Sequence, residues 1–93
     1  MKRALLRSTS FVRAARKRIG KDVRLADDLR VALELLAADA FHPQLKTHKL
    51  RGDLEGSYSC SAGYDLRVIF RFVSHAGSEA ILLESLGTHD DVY

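Results

Sequence analysis

From Asp65 to Phe72 the chain alternates without interruption. Leu66, Val68, Phe70 and Phe72 fall on one side, and Asp65, Arg67, Ile69 and Arg71 on the other. Period two is the spacing of a β-strand, whose successive side chains point to opposite faces. A strand of this pattern needs a sheet with one face covered by apolar neighbours and the other open to water. On the open face a carboxylate and a guanidinium, two residues apart, stand side by side.

The remainder of the chain supplies the sheet and its cover. Residues 57–61 alternate as well, with Tyr58 and Cys60 on one face and Ser57, Ser59 and Ser61 on the other. Residues 80–86 are apolar except for Glu84 and Ser85, the composition of a well-covered central strand. Residues 2–7 read as a first, short strand. The hydroxyls of Ser8, Thr9 and Ser10 then suit the free N–H groups of a helix start. Phe11, Val12, Ala15 and Ile19 form the apolar stripe of that helix, with Arg13, Arg16 and Lys17 off it. Gly20 ends it. Asp22 caps a second helix striped by Leu25, Leu29, Ala32, Leu33 and Leu36, and Pro43 cannot continue it. Only Gly20 and Lys21 lie between the helices, so they form an antiparallel hairpin. Turns are expected at Ala62-Gly63 and at 74–78. The predicted order is β-α-α-β-β-β: an α+β fold with an N-terminal helical hairpin on one face of an antiparallel sheet. The Asp65/Arg67 face is left open.

With 93 residues the chain is expected to be one domain, 1–93, around one modest core. No apolar run approaches membrane-spanning length. No signal-peptide core precedes the charges at Arg7 and Arg13. A cytoplasmic protein without a membrane partner is therefore expected. Cys60 is the single cysteine, which excludes an intrachain disulfide and a thiolate-rich zinc site; it reads as a small buried hydrophobe. The net charge of +3 hides an asymmetry: residues 1–21 carry eight basic groups and no acid. The remaining residues hold seven basic and twelve acidic groups. A one-signed block of this kind points to a polyanionic partner, with a solvated basic helix as the competing reading.

Residues 41–56 form a basic, glycine-punctuated connection holding Lys46, His48, Lys49 and Arg51. Connections of this kind inside small domains often carry function. His48 precedes the strand pair and His89 follows the last strand, so both are expected to reach the open face near Asp65 and Arg67. Histidine is the usual acid or base near neutral pH. His42 and His75 read as surface loop residues. No HxxxH or HxH pairing is present, so no metal site is expected. No phosphate-cradling glycine loop or nucleophile elbow occurs either. Tyr58, Tyr64 and Tyr93 could each stack on a base or edge the core.

Two motifs then stand out: THKLRGDLEGSYSCSAGYDLRVIF, and SLGTHDDVY after an apolar strand. With the opening KRALLRSTSFVRAARK, they resemble the RelE/YafQ-type toxins of bacterial toxin–antitoxin pairs across the whole chain. The resemblance implies a RelE-like fold similar to small microbial ribonucleases, and ribosome-dependent cutting of messenger RNA through the RNA's own 2′-hydroxyl. It implies no metal, no small-molecule cofactor, and an antitoxin, the ribosome with its RNA, and messenger RNA as partners. His48, Asp65, Arg67, His89 and Tyr93 match the catalytic positions. Lys46, Lys49, Arg51, Arg13, Arg16 and Lys17 become the expected RNA-binding residues. The chain departs from some YafQ-like members at Ser61, where they have a histidine, and at Leu66, where they have an aromatic. The same superfamily contains ParE-like toxins, which poison gyrase without cutting RNA. That binding activity, or a degenerate antitoxin-binding module, is the alternative.

Overall fold

A computed structural model describes residues 2–88. Strand β1 (Leu5–Arg7) leads into helices α1 (Thr9–Ile19) and α2 (Val23–Ala38). A short 3₁₀ turn at Pro43–Leu45 precedes strand β2 (His48–Lys49), and a second at Gly52–Leu54 follows it. Strands β3 (Tyr58–Ala62), β4 (Leu66–His75) and β5 (Ser78–Thr88) complete the regular structure of the described residues. The five strands form one sheet in the order β1-β5-β4-β3-β2.

The helix ends follow from their capping chemistry. Phe11 N–H donates to Ser8 Oγ at 3.0 Å, and Leu25 N–H donates to Asp22 Oδ1 at 3.1 Å. Gly20 closes α1 with φ of 54°, its N–H bonded to Arg16 O. Arg16, Lys17 and Arg18 occupy the last turn of α1, where the helix dipole favours cations.

The helical hairpin covers the apolar face of the sheet. Leu66, Val68 and Phe70 of β4 are fully buried with Ile81 and Leu83 of β5 and Leu36 of α2. Phe72 is only partly buried and packs edge-on against Phe70 and Tyr58, with Phe41 stacked on its outer side. The alternation of β4 is thus realised as read, with Asp65 falling just outside the strand in the Gly63–Asp65 turn.

Three features refine the expected architecture. The sheet is mixed, because β1 runs parallel to β5, with Leu5 beside Ile81. Alternation assigns side chains to faces but carries no information about a neighbour's direction. Second, β5 contains a bulge: Ile69 faces Ser85 while Phe70 faces Leu83, which leaves Glu84 as the extra residue. The bulge shifts the phase so that Leu83 and Leu86 both reach the core. Third, the β4–β5 hairpin is tighter than expected. Ala76 and Gly77, at φ 53° and 80°, form a two-residue turn of the primed kind, and His75 ends β4 opposite Ser78. Among the described residues no helix is long and apolar enough to cross a membrane.

Candidate functional site

The face of the sheet opposite the helical hairpin is organised in rows set by strand register. His48, Ser59, Ile69 and Ser85 lie across β2, β3, β4 and β5 in one row. Ser61, Arg67 and Gly87 form the next row toward the β3–β4 turn. On the other side of the His48 row, Ser57, Arg71 and Glu84 are joined by hydrogen bonds and an ion pair. Antiparallel partners share a face, so His48 and Arg67 stand on the same surface.

His48 is exposed on the edge strand, with Nδ1 3.0 Å from Lys46 O. A carbonyl oxygen only accepts, so a hydrogen bond here places a proton on Nδ1. Lys46 itself closes the preceding 3₁₀ turn in the left-handed region, at φ 53°. His48 opens into a hollow of about 820 Å³ bordered by Lys49, Arg51, Glu55, Ser57 and Tyr58.

Asp65 and Arg67 meet at a second hollow, of about 650 Å³, without pairing to each other. Asp65 Oδ2 lies 3.2 Å from Arg24 Nη2 of α2, a solvent-exposed pair. Arg67 turns one end of its guanidinium onto the turn below, with Nη1 donating to Leu66 O at 2.9 Å and Tyr64 O at 3.1 Å. Lys17 and Arg18 of α1 border the same hollow, as does Tyr64, which is 88% exposed. A third hollow, of about 410 Å³, is bordered by Arg13, Lys17 and Arg18 of α1 and by Ile69, Ser85 and Gly87 of the open-face rows, where α1 borders the edge of that face.

The structure therefore gathers His48, Arg67, Arg13 and Lys17 around one face, with Asp65 at its rim and Lys49 and Arg51 at the His48 hollow. Arg16 and Lys46 are exposed but border none of these hollows. His89 and Tyr93 lie outside the described residues. Arg18 borders two hollows and was not singled out from sequence, although it adjoins Lys17. The Ser57–Arg71–Glu84 cluster was also missed, because the bulge that brings Glu84 onto this face has no signature in an apolar run. Tyr58 belongs to the core-edge aromatic cluster. His42 caps its own 3₁₀ turn, accepting from Gln44 N–H at 3.1 Å. The Cys60 thiol is buried on the helix-covered face and pushed up to about 12 by burial, with the nearby Arg67 charge opposing the shift. It is no nucleophile at neutral pH. Among the described residues no three histidine, cysteine or carboxylate side chains gather where they could hold a metal ion.

A helical hairpin packed on a mixed sheet, whose other face carries His48, Arg67 and Arg71, is a fold that defines a class. It is the fold of the small toxins of bacterial toxin–antitoxin pairs. The YoeB/ParE toxin from Agrobacterium tumefaciens superposes with a TM-score of 0.75 at 16% identity, over 92% of this chain and 98% of that one. YafQ from E. coli superposes with a TM-score of 0.71 at 18% identity, over 99% of both chains. The E. coli DinJ-YafQ toxin-antitoxin complex gives 0.69 at 19% identity, over 100% of this chain and 99% of that one. A comparison with curated protein sequences finds no match. The profile of the family described as the bacterial toxin of type II toxin-antitoxin system, YafQ, matches residues 3–93, and the chain belongs to that family.

Proposed function

We propose that this toxin is an endoribonuclease that cuts messenger RNA on the ribosome and so arrests translation. The observation that carries the reading is the shared face: a histidine whose Nδ1 contacts a backbone carbonyl, an arginine two strands away, and cations from α1 beside that arginine. Family membership supports it.

In the proposed reaction a base removes the proton from a 2′-hydroxyl, and that oxygen attacks the adjacent phosphorus. The bond from phosphorus to the 5′-oxygen breaks, and an acid donates a proton to the leaving oxygen. The products are a 2′,3′-cyclic phosphate and a 5′-hydroxyl. His48 and His89 form the acid–base pair, and the Lys46 contact suits His48 Nε2 to take the first proton. Arg67 neutralises charge that grows on the phosphate oxygens; its Nε and Nη2 make no hydrogen bond among the described residues. Asp65 serves as the carboxylate of the site, orienting a histidine or carrying a proton. Tyr93 stacks on a base beside the cut. Lys46, Lys49 and Arg51 hold RNA near His48, while Arg13, Arg16 and Lys17 hold ribosomal RNA through its phosphates.

The natural partner is a protein antitoxin, as the E. coli YafQ complex with DinJ supports. Its acidic residues would meet the basic block of residues 1–21 or the site itself. The test is expression of the chain alone, followed by mapping of 5′ ends across cellular messages. New 5′-hydroxyl ends inside translated regions, absent with His48→Gln, are the expected result. Intact messages with accumulating gyrase-trapped DNA breaks would replace this reading with a ParE-like one.

A further inference from the structure

We propose that Arg71 is a second phosphate-binding arginine of this face, positioned by Glu84 and Ser57. The assignment rests on the endoribonuclease reading for its substrate, and on the sheet register for its geometry. His48 lies in the row of Ser59 and Ile69. Arg67 is two residues from Ile69 in one direction along β4, and Arg71 is two residues away in the other. Each arginine Cα is thus two strand spacings across and two residues along from His48, about 12 Å in both cases. A strand of RNA whose reacting phosphate sits over the His48 row passes Arg67 on one side and Arg71 on the other.

The two side chains are held differently. Arg67 rests on backbone carbonyls at the end of the sheet. Arg71 is fixed within the face by side chains from β5 and from Ser57, the residue before β3. Its Nη2 donates to Ser57 Oγ at 3.2 Å, and its Nε lies 3.2 Å from Glu84 Oε2. The Nε contact is an ion pair rather than a directed hydrogen bond, and Nε itself is buried. Ser57 Oγ donates in turn to Glu84 Oε1 at 2.5 Å, so the carboxylate is held from two sides. The bulge makes this possible, since Glu84 is the extra residue of β5. Nη1 is left without a hydrogen bond among the described residues, on a side chain that is 43% exposed. Ser57 also borders the hollow of His48. A guanidinium held on two nitrogens, with its third edge in solvent beside a basic hollow, is pre-organised for a phosphate oxygen. An ion pair serving only to fasten three strands would need no such open edge.

The test measures binding of a short single-stranded 2′-O-methyl RNA as a function of salt. This probe lacks the nucleophile, so it reads phosphate contact whether or not the chain cuts RNA. Because R71Q alone leaves Glu84 half-buried and unpaired, the decisive variant is R71Q/E84Q. It removes one charge of each sign, keeps the net charge, and retains a fold checked by circular dichroism. Loss of one phosphate contact should make the slope of log K against log salt shallower by about 0.7. Affinity at low salt should fall about tenfold to hundredfold. E84Q alone raises the positive charge, so general attraction would tighten binding, whereas loss of positioning weakens it. A folded R71Q/E84Q protein with the wild-type slope would overturn the assignment, and so would a wild-type chain that fails to bind the probe even at low salt. Tighter binding by E84Q would overturn the positioning role. Ribosome-dependent cleavage by the wild-type chain, measured separately, reports on the endoribonuclease reading alone.

Discussion

His48 arrives at the open face with one ring nitrogen already engaged, because Lys46 turns its carbonyl back toward the ring from a left-handed backbone position. A proton on Nδ1 is the tautomer that the proposed role of Nε2 as a base requires. His48 packs against nothing in the core, so His48→Gln should keep the fold while ribosome-dependent cleavage falls about 10²–10⁴-fold. His75, at the far end of β4, should tolerate the same change at the wild-type rate. Equal rates for folded His48→Gln and wild type would remove His48 from the mechanism. Cys60 makes a different residue-scale prediction. Folding holds its thiol neutral up to about 12, against an ordinary value of 9.0. Between those values the unfolded chain has lost the proton that the folded chain retains, so stability falls as pH rises through that window. Denaturant midpoints measured from about pH 8 to about pH 11 should decline more steeply for wild type than for Cys60→Ala. Parallel declines would show that the thiol carries none of the effect.

Two contacts between elements fix the frame of the site. The Ser8 hydroxyl accepts from Phe11 N–H to start α1 and donates to Glu84 O at 3.0 Å, tying the helix start to the β5 bulge. Ser8→Ala should cost about 1–2 kcal/mol in equilibrium unfolding, with Thr9→Ala as a near-neutral control. Gly63 makes the β3–β4 turn at φ 67°, and a Cβ there would meet the Asp28 side chain of α2. Gly63→Ala should therefore destabilise by about 1–3 kcal/mol. An unchanged unfolding midpoint would show that the turn relaxes away from α2. The helices, their caps and the faces of β3 and β4 were readable because each follows from a local rule: a capping side chain, a period, a glycine. The bulge and the direction of β1 depend on contacts with residues far along the chain, so neither left a local trace.

Across the whole molecule, cations of the N-terminal block and of β4 meet at the open face: Arg13, Lys17 and Arg18 come from α1, while Arg67 and Arg71 come from β4. That Arg67 lies on the open face was readable because alternation places side chains on faces, and the register of β2 on β3 then puts His48 on the same face. Asp65 was harder to place, since one residue beyond the strand end its carboxylate is drawn to Arg24 of α2. Glu84 was hidden by the bulge. The most direct measurement of the central claim is cleavage of one defined message on purified ribosomes, with both new ends characterised chemically. Wild-type protein should leave a 2′,3′-cyclic phosphate and a 5′-hydroxyl at a discrete position. His48→Gln should leave the message intact over the same time. An uncut message with folded wild-type protein, or cut ends carrying a 5′-phosphate, would contradict the account.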